Sequence, residues 1–127
     1  MADELSAAFD AGIREGVGAT LFTTAGFFVE HRQRIIELAR IHKLPMLTSG
    51  QPVWAQEGAV ASYGTPYKDV VRGAATDVDR ILNGAKPADL PVAQPTKFEL
   101  AINMRTARAL GLTVPQSLLQ RADHVIE

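Results

Sequence analysis

The residues with the chemistry most open to use are three histidines, a few carboxylates and a scatter of hydroxyls, so their spacing comes first. His31 and His42 lie eleven positions apart on one predicted helix. At 3.6 residues per turn they share a face, but at 1.5 Å per residue they stand ~16 Å apart, too far to hold one metal ion. His124 sits near the C-terminus beside Asp123, with no predicted companion. Asp77 and Asp79 differ by two, so on a helix they point away from each other and cannot work as an acid and base pair. Ser49-Gly50 lacks the G-x-S-x-G elbow of a nucleophilic serine. "GVGAT" precedes a strand instead of following one, which is the wrong context for a dinucleotide loop. No cysteine occurs, so disulfides, thiolate nucleophiles and cysteine–metal sites are excluded. The expectation is a protein with no catalytic residues, no metal site and no cofactor, and not an enzyme.

What remains is an inventory suited to binding. "TTAGFF" offers Thr23, Thr24, Gly26, Phe27 and Phe28; "SGQPVW" offers Ser49, Gln51 and Trp54; "SYGTPY" offers Ser62, Tyr63, Gly64 and Thr65. Each group follows a predicted strand, while the charge is carried by helices. A small polar ligand held by hydroxyls and walled by aromatic rings suits this set. The structural alternative stands beside it: Thr23 and Thr24 could satisfy loop amides, Phe27 and Phe28 could be packing residues, and Trp54 could cover the end of the core.

The elements that would position these groups alternate. Residues 3–15 read as a helix with Leu5, Phe9 and Ile13 on one face. "GATLFTT" and "LPMLTSG" read as short buried strands on either side of the helix "EHRQRIIELARIHK", and "GAVASYG" as a third strand. Residues 67–82 carry the cleanest helical stripe, Val70, Val71, Ala74, Val78 and Ile81 among them, stopped by Asn83-Gly84. "KPADLPVAQP", with three prolines in ten residues, reads as an extended surface connection. "TKFELAI" is a further strand, Asn103 an N-cap for the helix "MRTARAL", and Pro115 the opening of a last helix. Helices and strands that alternate with short connections predict an α/β layered domain with a largely parallel sheet. Strands that are apolar throughout predict a sheet covered on both faces. Ligands of such sheets bind at the carboxyl ends of the strands, where the three polar groups fall.

At 127 residues the chain fits one domain by size. Its 46% hydrophobic and 21% charged residues are an ordinary globular balance. Thirteen basic residues against fourteen acidic ones, without a long run of either, show no basic face for nucleic acid. No apolar stretch approaches the ~20 residues that span a bilayer.

The stretch "ILNGAKPADLPVAQPTKFELAINMRTARALGLTVPQSLLQRADHVIE", residues 81–127, closely resembles the C-terminal end of substrate-binding proteins of bacterial ABC transporters. The branch is the type I periplasmic-binding fold group that includes tryptophan- and tyrosine-type uptake proteins. Upstream, "FFVEHRQRIIELARIHKLPMLTSG" and "GAVASYGTPYKDVVRGAATDVDRIL" are similar to the second-lobe units of that family, in the family's order. The resemblance implies a three-layer, Rossmann- or flavodoxin-like lobe. Residues 1–127 would form a single domain corresponding to the second-lobe part of a two-lobed protein. It implies capture of a small polar or amino-acid-like solute by lobe closure, with delivery to an ABC permease. The setting would be periplasmic or otherwise extracytoplasmic in the parent protein, although no signal peptide is present in this chain.

On the same basis Thr23, Thr24, Ser49, Gln51, Tyr63 and Gly64 would contact the solute, with Phe27 and Trp54 as aromatic walls. "TTAGFF" departs from the family pattern in lacking the carboxylate that relatives often carry there to hold a ligand amine. The segment from Pro95 to Pro115 would serve architecture and not the ligand. Surfaces that face a lobe outside this chain predict a homodimer. Two alternatives belong to other classes: a ligand-sensing module of a signalling protein, and a flavodoxin-like cytosolic enzyme, for which "TTAGFF" is a poor phosphate loop.

Overall fold

The computed structural model describes residues 2–23 and 25–127. Two compact units emerge: residues 1–64 with 99–127, and residues 65–98. In the first unit α1 (Ala2–Arg14) precedes β1 (Thr20–Phe22), and α2 (Gly26–Glu30) and α3 (Arg32–Ile41) lead to β2 (Met46–Thr48). Then α4 (Val53–Glu57) leads to β3 (Ala61–Gly64), and the chain returns later as β4 (Glu99–Asn103), α6 (Met104–Ala109), α7 (Gln116–Leu119) and β5 (His124–Ile126). The second unit holds α5 (Tyr67–Leu82), a 3-10 turn at Pro87–Asp89 and the extended residues up to 98.

The sheet runs in the order β1-β2-β3-β4-β5. β1, β2 and β3 are parallel, β4 is antiparallel to β3, and β5 is parallel to β4. The α/β class and the mostly parallel sheet are as the sequence predicts. Because successive side chains alternate across a strand, the register aligns Phe22, Thr48, Ser62, Ala101 and His124 on one face. That face bears the core: Leu5 and Phe9 of α1, Ile35 and Leu38 of α3, and Trp54 of α4 pack with Met46.

The other face stays open. Leu21 is 70% exposed, Tyr63 57%, and Leu47 and Val125 43% each, although Ile102 is buried. The strands are apolar on both faces, as read from the sequence, yet helices of this unit cover only one. Topology gives the reason. β1, β2 and β3 step across the sheet in one direction, and crossovers of a single hand put every connecting helix on the same side.

Several local features differ from the sequence reading. The predicted helix from Glu30 to Lys43 starts one turn earlier and breaks at His31, giving α2 and α3. His31 and His42 therefore flank α3 as its two caps and do not sit within it. The five-residue α4 and the three-residue β5 carry too little periodicity to be read from sequence. The last helix is limited to Gln116–Leu119. Asn103 caps α6 as predicted, its Oδ1 accepting from the Thr106 amide at 2.9 Å. α5 ends as predicted at Asn83-Gly84, where Gly84 takes φ +99°, a left-handed conformation costly to residues with a Cβ.

Arg32, at the start of α3, clamps Glu57 at the end of α4 by two hydrogen bonds, Nε–Oε2 at 2.6 Å and Nη2–Oε1 at 2.8 Å. Hydrogen bonding to Glu57 raises the guanidinium pKa above its ordinary value, against an opposing effect of burial. A raised pKa on a base means that, while the Glu57 carboxylate is ionised, the stabilisation is held below the arginine's own range and is lost on the basic side only in strong alkali. Both side chains are a quarter to a third exposed, so solvent screens the pair. Arg32→Lys, which cannot reproduce the two-pronged contact, is expected to cost about 0.5–1 kcal/mol in urea denaturation.

Candidate binding rim at the strand ends

The three parallel strands end together. Backbone bonds join the connections that follow them: the Ser49 amide donates to the Phe22 carbonyl at 2.9 Å, and the Gly50 amide to the Tyr63 carbonyl at 3.2 Å. At Gly64 the approach is closer still. A Cβ there would stand 2.9 Å from the Gly50 carbonyl oxygen and 3.0 Å from its nitrogen. Two glycines thus let the loops after β2 and β3 touch through backbone alone. Gly64 is required for space, since its φ lies outside the left-handed region.

Thr23, Ser49, Gln51 and Tyr63 are all exposed along this rim. Thr24 lies outside the described residues. Phe27 is at the start of α2, exposed on one side, with its ring 5.7 Å from Phe28 and 4.6 Å from the His31 ring. Phe28 turns the other way, edge-on to Phe22 at 5.2 Å, and Phe22 in turn stacks on Phe9. The neighbouring phenylalanines therefore divide: Phe28 anchors the connection to the core, and Phe27 is presented at the surface.

Trp54 is 5% exposed and belongs to the core cluster. It packs as a core residue immediately after the Ser49–Gln51 loop, its amide donating to the Gln51 carbonyl at 3.2 Å. The sequence did not separate core from wall, because the short α4 was not legible and the burial of Trp54 depends on it.

Three polar side chains are buried: Thr48 and Ser62 beneath the rim, and Asn103 at the other end of the sheet, its backbone amide donating to the Val60 carbonyl just before β3. Thr48 and Ser62 are partners in register on adjacent strands. Their hydroxyls meet no protein hydrogen-bond partner among the described residues. Sequence reasoning missed Thr48; its place as the last residue of an otherwise apolar strand was the available signal. Asn103 is fully engaged: besides capping α6 it donates through Nδ2 to the Ala55 carbonyl at 2.7 Å. It ties β4 and α6 to α4, the helix that follows the Ser49–Gln51 loop. Among the described residues no cluster of three or more histidines or carboxylates could hold a metal ion. Among them also, no helix is long and apolar enough to cross a membrane.

In a mostly parallel α/β lobe, polar groups gathered at the strand ends stand where sheets of this kind take their ligands. The ABC transporter substrate binding protein family matches residues 3–126, and the chain belongs to that family. A conserved domain protein from Vibrio cholerae O1 biovar El Tor is similar in structure, with 27% identity and a TM-score of 0.85 over 98% of this chain and 41% of that one. The ABC domain in complex with L-Trp from Streptococcus pneumoniae is similar at 25% identity and a TM-score of 0.87, over 98% of this chain and 43% of that one. A ligand-free, open substrate binding protein from Clostridium difficile shares the fold at 18% identity and a TM-score of 0.66, over all of this chain and 41% of the other. The chain thus spans about two fifths of the length of the solved structures it matches. No curated protein matches it.

Proposed function

We propose that this chain supplies one wall of a solute-binding clamp. Residues 1–127 then act as the second-lobe part of a two-lobed protein. Thr23, Ser49, Gln51, Tyr63 and Gly64 of the rim, Phe27 as its aromatic member, and Thr24 by its place in the sequence contact a small polar or amino-acid-like solute. Trp54 contributes as support from the core and not as a wall. The observation that carries this reading is the likeness to the Streptococcus pneumoniae domain, whose structure holds L-Trp.

In this reading a second lobe closes over the solute, which is handed to an ABC permease in an extracytoplasmic setting. A solute favours the closed state only by binding it more tightly than the open one, so the two walls must share the contacts. The protein works by binding and release, without a chemical step. The open apolar faces of the chain also predispose it to pair as a homodimer.

Half a cleft leaves most of the ligand in water. Calorimetric titration of the chain with L-tryptophan, L-tyrosine and small carboxylates is expected to give a Kd weaker than about 100 µM. A submicromolar value for the chain alone would rule out the half-clamp. At millimolar ligand, NMR amide shifts are expected at Ser49, Gln51, Tyr63 and Gly64. Silence at all four with every solute tried would remove the rim from the function.

A further inference from the structure

Thr48 is the last residue of β2 and Ser62 lies within β3, and the two are partners in register. Thr48 is 4% exposed and Ser62 1%. Both side-chain oxygens are closed to solvent, and neither meets a hydrogen-bond partner among the described residues. A hydroxyl carries one donor and two acceptor sites, and leaving it unpaired in a core costs more than a typical hydrogen bond contributes. Valine and alanine would fill the same two places without that cost. Packing alone therefore does not account for the pair.

The surroundings leave room for a third polar group. The row across the sheet runs Phe22, Thr48, Ser62, Ala101, large on β1 and small on the next three strands. α4 packs over β3 and β4, and Ala55 of that helix is as fully buried as Ala101. Neighbouring strands lie about 4.8 Å apart. Two hydroxyls rooted at that spacing, and not bonded to each other, leave the interval that one water fills at about 2.8 Å from each oxygen. Buried waters take this kind of place, pairing polar groups that have no other partner. The residues that follow are Ser49 and Tyr63, and their connections are tied by the Gly50 amide bond to the Tyr63 carbonyl.

We propose that Thr48 Oγ1 and Ser62 Oγ hold one buried water molecule between β2 and β3, a fixed polar bridge directly beneath the rim. Because both oxygens are closed to solvent, the bridge belongs to the fold and is not a solute contact. It stands whether or not the rim binds L-tryptophan.

A crystal structure of the whole chain to about 1.2 Å should show an ordered water about 2.8 Å from both oxygens. The same peak should be gone from the Thr48→Val, Ser62→Ala double variant. In urea denaturation, Thr48→Val alone and Ser62→Ala alone should each raise the unfolding constant about 10-fold, because one hydroxyl of the bridge is left behind. The double variant should raise it no further than either single change, since replacing both partners by apolar groups also removes the unpaired one. A direct bond between the two hydroxyls, with no water between them, overturns the proposal. So do single variants as stable as the parent chain, or losses that multiply to about 100-fold in the double variant, the behaviour of independent sites.

Discussion

Asn103→Ala is expected to lower the stability of the sheet unit by about 2–4 kcal/mol, the largest effect of any single polar substitution in the chain. Two losses combine. Removing the side-chain acceptor uncaps α6, which costs about 1 kcal/mol. Removing the donor leaves the Ala55 carbonyl with only a longer 3.3 Å bond from the Gly58 amide, and an under-satisfied buried group costs about 1–3 kcal/mol. Asn103 is buried, so water cannot readily take either place. The two contributions separate with Asn103→Asp: the carboxylate keeps the cap but faces the Ala55 carbonyl with no proton to offer. It should therefore be no more stable than the alanine variant. Chemical denaturation followed by fluorescence is the measurement, since the single tryptophan, Trp54, reports on the core of this unit. An aspartate variant as stable as the parent chain would show that the contact with α4 contributes nothing.

Gly64→Ala is the second large effect, expected at about 2 kcal/mol from overpacking alone, with Tm lower by about 8 °C. The added methyl meets three Gly50 backbone atoms, O, N and Cα, at 2.9, 3.0 and 3.1 Å. Backbone cannot rotate out of the way as a flexible side chain would, so one loop must move. The Gly50 amide should then lose its bond to the Tyr63 carbonyl and exchange faster with solvent. Gly18→Ala is the control: a Cβ there has open space within 4 Å, and the change should stay within about 0.5 kcal/mol. Equal stability of the Gly64 and Gly18 variants would mean that the two loops do not touch. Because the same contact shapes the rim, the Gly64 variant also tests whether rim geometry and solute shifts move together.

Much of the candidate site was legible before the fold. "TTAGFF" and "SGQPVW" each follow a strand, "SYGTPY" ends one, and the structure brings the ends of those strands together. Thr23, Ser49 and Gln51 are exposed for the reason that made them visible, since short polar groups occupy connections, whereas Ser62 lies within β3 and is buried. Asn103 was read as a cap from its place between a strand pattern and a helix pattern, and it is one. Its second bond, to Ala55, spans 48 positions in sequence and no local pattern announces it. The contact of Gly64 with Gly50 is equally silent, since a glycine required for space looks like one required for a turn. Trp54 illustrates the converse, a residue whose type suited the rim and whose burial was set by a helix too short to read.

The sequence by itself determined the alternation of helices and strands, the apolar character of both sheet faces and the amphipathic stripe of α5, because periodicity and end signals are local properties. Only the tertiary structure decided which of those apolar surfaces become core. The sheet steps from β1 to β3 in one direction, so its connecting helices gather on one face and leave Leu21, Leu47 and Tyr63 open on the other. Burial depends on what the chain brings opposite a surface, and that is fixed by strand order and crossover hand, neither of which is written in the apolar pattern itself.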